Sequence, residues 1–139
     1  MAVLKHRGYM NLNKLAQEIH QNAKDKGFYE QKDRNISELL MLVVSELGEA
    51  QEALRKDKRA DVETYQYCKD ATDIHWKDKA DYVRSEFEKN IKDSFEDEIA
   101  DAIIRLLDLC AYLKIDIDFH IEEKMVYNKK RDYKHNKRF

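Results

Sequence analysis

The chain contains no proline and only three glycines in 139 residues. Those two residue types supply most tight turns between strands, so a sheet protein of this length would have little to turn on, whereas long helices need neither. Hydrophobic residues make up 42% and charged residues 39% of the sequence, a balance that suits amphipathic helices around a shared core. The expectation is an all-α protein, a helical bundle of four to five helices in a single domain over 1–139, which is long enough to bury a real core.

Helical spacing locates the elements. Leu12, Leu15, Ala16, Ile19 and Ala23 share one stripe of a first helix that Gly27 stops. "NISE" offers Asn35 as an N-cap with Glu38 three residues on, opening a strongly apolar helix through "LLMLVVSELGEAQEALR". Residues 56–92 then read as an elongated, polar insertion carrying Tyr65, Tyr67, Trp76, Tyr82 and Phe87, with a helix expected in its second half from the spacing of Val83, Phe87 and Ile91. Ser94, with Asp97 three residues later, predicts the cap of a second apolar helix, "FEDEIADAIIRLLDLCAYL". Asp116 or Asp118 is expected to start a last helix that runs to about Tyr133, before a basic tail at 134–139.

The two apolar helices carry acids where a core face should be. At about 100° per residue, Glu46 falls in the arc of Leu39, Leu42, Val43, Ala50 and Ala53, with Glu49 to its side. Glu98 shares an arc with Phe95, Ala102, Leu106 and Leu109, and Asp101 stands on its flank. Buried carboxylates without a cation take up protons rather than remain charged, and Arg105 can balance only one of these four. Hard oxygen ligands from two helices are a natural cage for Mg²⁺ or Mn²⁺. A carboxylate-bridged di-iron centre normally uses Glu-x-x-His, a spacing absent from this chain.

"SELGEA" and "EIADAIIRLLDL" resemble the ExxE and ExxD motifs of the MazG-like, all-α nucleoside triphosphate pyrophosphohydrolases, a group that includes dimeric dUTPases and dCTP pyrophosphatases. The likeness extends from "KGFYEQKDRN" to "KMVYNKKRDYKHNKRF". It implies that Glu46, Glu49, Glu98 and Asp101 hold magnesium and that Lys124, Asn128 and Arg131 hold the phosphates, with hydrolysis to nucleoside monophosphate and pyrophosphate. Glu46, Glu49 and Glu52 remain alternatives for the group that takes the proton of the attacking water. Ser45 stands where many members have another glutamate, and the connection from Glu49 to Glu98 is longer than the usual one.

Lys124, Asn128 and Arg131 also fall at i, i+4 and i+7 of one helix, a single face of three donors. Phe28 and Tyr29 are the base-binding candidates by resemblance, and Trp76 is a third because an aromatic face can stack a nucleobase. The resemblance further implies self-association, as a homodimer or homotetramer. Nucleic acid is not an expected partner, since the formal net charge is −2 and the basic run is confined to the end of the chain. Two unpaired cysteines, no apolar core for a signal peptide in "MAVLKHRGYM" and no run long enough to cross a membrane make a cytoplasmic protein the expectation. The alternative from another class is a catalytically silent scaffold of the same fold that binds a nucleotide or a partner.

Overall fold

A computed structural model describes residues 11–71 and 76–131 of the chain, apart from the side chains of Trp76 and Lys77. It is all-α, with six helices and no strand among the described residues: α1 Leu12–Asp25, α2 Ile36–Arg55, α3 Val62–Asp70, α4 Trp76–Asn90, α5 Phe95–Tyr112 and α6 Ile117–Lys129. The count exceeds the expected four to five because the insertion folds into two helices. α3 has no fully buried residue, only the half-buried Tyr65 and Cys68, and so short a contact face leaves little apolar periodicity to read. The last helix ends at Lys129 with Lys130 as its C-cap, short of the expected run to Tyr133, because the cap N–H turns back to the carbonyls of Tyr127 and Asn128. The basic tail at 134–139 lies outside the described residues.

The caps explain where the helices begin. Asn11, Asn35 and Asp61 accept hydrogen bonds from the backbone N–H groups of Lys14, Glu38 and Thr64, each three residues on. Ser94, only 1% exposed, accepts from the backbone of Asp97 at 3.3 Å and starts α5 as its spacing predicts. With so little glycine, the residues that take positive φ at helix ends are Asp57, Asp93 and Lys114 besides Gly27. Aspartate tolerates the left-handed region better than most residues, which makes two of these substitutes for glycine cheap.

The chain divides into two compact units. Of the described residues, the first comprises 11–32 and 107–131, and the second those between 33 and 106. In the first, α1 packs on α6, and their N-termini clasp each other. Asp118 accepts from the backbone N–H groups of Leu12 and Asn13 at 3.1 and 3.2 Å, while the Asn13 side-chain oxygen accepts from those of Ile117 and Asp118 at 2.9 and 3.4 Å. Each helix thus satisfies orphan donors of the other, and each carboxylate or amide sits at a positive helix end.

In the second unit α3 packs on α4, with Tyr65 edge-on to Phe87 at 5.8 Å. The insertion is pinned at its base. Asp61 donates its N–H to the carbonyl of Asn90, and Phe95 donates to that of Lys58, both at 2.9 Å. Glu96 accepts from Arg59 Nε at 2.8 Å and from the Ala60 backbone at 2.9 Å. These bonds, which hold the carboxyl of Glu96 below its ordinary pKa, fix the start of α5 and hence the direction in which its acids project. Leu39, Val43, Ala50 and Ala53 of α2 are buried, as is Ala102 of α5.

Candidate metal centre

Glu46 lies in the buried stripe of α2 between Val43 and Ala50 and is 8% exposed. Glu98 belongs to the first turn of α5, one residue past the N–H that Ser94 caps, and is 4% exposed. Asp101, three residues on, is more open. One carboxylate oxygen from each of the three lies within 4.8 Å of the others. All three belong to the second unit, and the stretch from Ser94 to Asp101 owes its position to the bonds that anchor Phe95 and Glu96.

The electrostatics separate the members. Burial, followed by the charges of Glu49, Glu46, Asp101 and Asp93, pushes the Glu98 carboxyl up to about 7 from an ordinary 4.5. Its carboxylate accepts no hydrogen bond among the described residues. Asp101 is also raised, by burial first and then by Asp97 and Glu46, with Arg105 opposing. Among the described residues, Glu46 is the member of the three that a cation hydrogen-bonds: Arg105 Nε donates to its Oε1 at 2.5 Å.

That donor set fits a hard divalent cation. The ligands are all carboxylate oxygens close enough to share one ion, and the repulsion that raises Glu98 is what a dication between them would remove. The other buried carboxylate of this unit behaves differently. Glu86, 9% exposed, accepts from the Asn90 side chain at 3.0 Å and lies 3.7 Å from Lys89 Nζ, so its charge has local partners.

Three of the four expected ligands, Glu46, Glu98 and Asp101, therefore come together. Glu49 is exposed on α2 and stands outside the 4.8 Å group, yet its charge is the largest single one acting on Glu98. Lys124, Asn128 and Arg131 lie in the first unit along an exposed stretch of α6 and just past its end, and the two cations flank Tyr127, at 4.9 and 5.7 Å from its ring. Phe28 is 64% exposed. Trp76 opens α4, and its side chain lies outside the described residues.

Tyr29 is tied into a cluster that the sequence did not reveal. Its hydroxyl donates to Asp108 Oδ2 at 2.5 Å, and His20 Nδ1 meets Asp108 Oδ1 at 2.7 Å. The Tyr29 ring stands edge-on to His20 at 4.5 Å and beside Tyr112 at 5.1 Å. The available signal was Asp108 itself, a lone acid inside "LLDLCAYL", but its partners lie 88 and 79 residues away in sequence.

No family model, curated protein or solved structure matches the chain. The likeness to MazG-like enzymes accordingly rests on the quoted sequence motifs alone. Among the described residues, no helix is long and apolar enough to cross a membrane.

Proposed function

We propose that the protein hydrolyses a nucleoside triphosphate to nucleoside monophosphate and pyrophosphate, with magnesium or manganese as cofactor, in the manner of the MazG-like enzymes its motifs resemble. The observation that carries this reading is Glu98, a buried residue whose carboxylate has no donor among the described residues and lies close to those of Glu46 and Asp101. When bound, the metal supplies a Lewis acid that polarises phosphoryl oxygens and lowers the pKa of a water. Glu46, Glu98 and Asp101 hold it. Glu49, open to solvent beside them, either completes the ligand set or takes the proton of the attacking water, and Glu46 is the other candidate for that proton.

A triphosphate carries more charge than one dication cancels, so cationic and amide donors are needed for the remaining oxygens. Lys124, Asn128 and Arg131 take that part in this reading, and Phe28, Tyr29 and Trp76 are the candidates for the base. Tyr29 acts through its ring, because its hydroxyl is engaged by Asp108. The protein is a homodimer or homotetramer in the same reading. Ile36, Leu40, Val44, Leu47 and Leu54 of α2 are all more than 40% exposed, an apolar stripe on one flank of the buried face that carries Glu46. Removal of unwanted nucleotides from the cytoplasmic pool is the role such an activity serves.

The test is pyrophosphate release over a panel of canonical and modified nucleoside triphosphates. Release that depends on Mg²⁺ or Mn²⁺ and stops with a chelator is the expected result. Silence across the panel would refute the activity and favour the scaffold that binds nucleotide or partner without turnover.

A further inference from the structure

Arg105 is placed oddly for a residue next to a cation site. It sits one turn after Asp101 on α5, yet its Nε reaches across to α2 and donates to Glu46, one of the three clustered acids. Its charge lowers the Asp101 carboxyl, whereas the charges that act most strongly on Glu98 are those of four carboxylates, Glu49, Glu46, Asp101 and Asp93. The guanidinium is thus hydrogen-bonded to one member of the triad, while Glu98 accepts no hydrogen bond among the described residues. The Arg105 side chain is 43% exposed, against 10% for that of Glu46, so the positive charge lies on the solvent side of the pair. Among the described residues, its terminal nitrogens have no partner.

We propose that Arg105 is a built-in competitor for the divalent cation: it holds Glu46 in the metal-free protein and limits how tightly the triad binds metal. This rests on the reading of the triad as a metal site, which Glu98 supports independently as a residue only 4% exposed whose side chain lies in the same cluster and accepts no hydrogen bond among the described residues. The physics fixes the sign. A dication shared by carboxylates no more than 4.8 Å apart comes close to a guanidinium hydrogen-bonded to one of them. Like charges at such a separation repel by enough to change binding about tenfold even in a medium as polar as water, and by more in a part-buried site. The hydrogen bond also occupies a lone pair of Glu46 Oε1 that a metal could use. An orienting role alone predicts the opposite sign, since losing the bond would loosen a ligand and weaken the metal.

The experiment is a Mn²⁺ titration, followed by calorimetry and by the melting temperature, of the wild-type chain, Arg105→Gln, Arg105→Lys and Glu98→Gln. Arg105→Gln should bind Mn²⁺ about tenfold more tightly or better, and its melting temperature should rise more on Mn²⁺ addition than that of the wild type. Arg105→Lys, which keeps the charge, should stay within about threefold of the wild type. Should Arg105→Gln fail to fold without metal, Mn²⁺ must fold it, at concentrations below those that half-saturate the wild type, and failure to do so overturns the proposal. Binding that is lost in Glu98→Gln but unchanged or weaker in Arg105→Gln overturns it while leaving the metal site standing. A wild-type chain that binds no Mn²⁺ overturns both.

Discussion

Glu98 and Asp108 stand on the same helix, α5, and meet opposite fates. Asp108 receives a phenol on one oxygen and an imidazole on the other, while Glu98 receives no donor among the described residues and faces other carboxylates. A half-buried acid with two donors ties α1 and the segment after it to the helix, which is what a structural carboxylate does. A buried acid surrounded by acids destabilises the fold that contains it, and such an arrangement makes sense when an added cation turns repulsion into ligation. The pair shows that burial alone does not distinguish a structural acid from a site acid; the supply of donors does.

The sharpest way to break this contrast is to neutralise Glu98. Glu98→Gln should lower metal-dependent turnover by about a hundredfold or more, close to 3 kcal/mol of transition-state stabilisation, while leaving the metal-free protein at least as stable as its parent. Comparison of pyrophosphate release with a urea melt decides the matter. A variant that is both destabilised and active would place Glu98 with the structural acids.

Asp108→Ala should do the reverse. It strips two partners at once and should cost about 2–3 kcal/mol of stability, read as a lowered urea midpoint, with Mn²⁺ affinity per folded molecule unchanged. A neutral outcome would mean that His20 and Tyr29 find water as readily as they find the carboxylate.

Much of this was legible in the chain, for reasons the contrast makes plain. Caps such as Asn35 and Ser94 act over three residues, and the buried stripe of Leu39, Val43, Ala50 and Ala53 follows one helical period, so local pattern suffices. The acids of the triad were visible for the same reason: each violates the stripe that contains it. Local pattern says nothing of which residues meet across the fold. Asp108 with His20, Asn13 with Asp118, and Arg105 with Glu46 rather than its neighbour Asp101 are all such meetings. α3 went unread because it has no fully buried residue and so short a contact face leaves little stripe to read.

A smaller effect sharpens the comparison through pH. In the metal-free protein Glu98 keeps its proton up to about pH 7, whereas in the unfolded chain a glutamate releases it near 4.5. Between those values the folded state binds more protons than the unfolded state, so stability falls as pH rises through the window. The melting temperature with a chelator present should be higher near pH 5.5 than near pH 8 by a few degrees, once the same measurement on Glu98→Gln is subtracted. Excess Mg²⁺ should remove the difference by supplying the charge that the proton supplied. A pH dependence identical in Glu98→Gln would assign it to other groups.

The most direct test of the central claim, that the acids of α2 and α5 form a cation site, is a calorimetric titration of Mg²⁺ into the wild-type protein near pH 6.5 in buffers of different ionisation enthalpy. Glu98 is largely protonated there, so a metal that claims its carboxylate must expel the proton. Saturable binding, with a heat that varies from buffer to buffer by the amount expected for about one released proton, is the predicted result. No saturable binding of Mg²⁺ or Mn²⁺ at millimolar concentration, or binding that releases no proton and persists in Glu98→Gln, would contradict it.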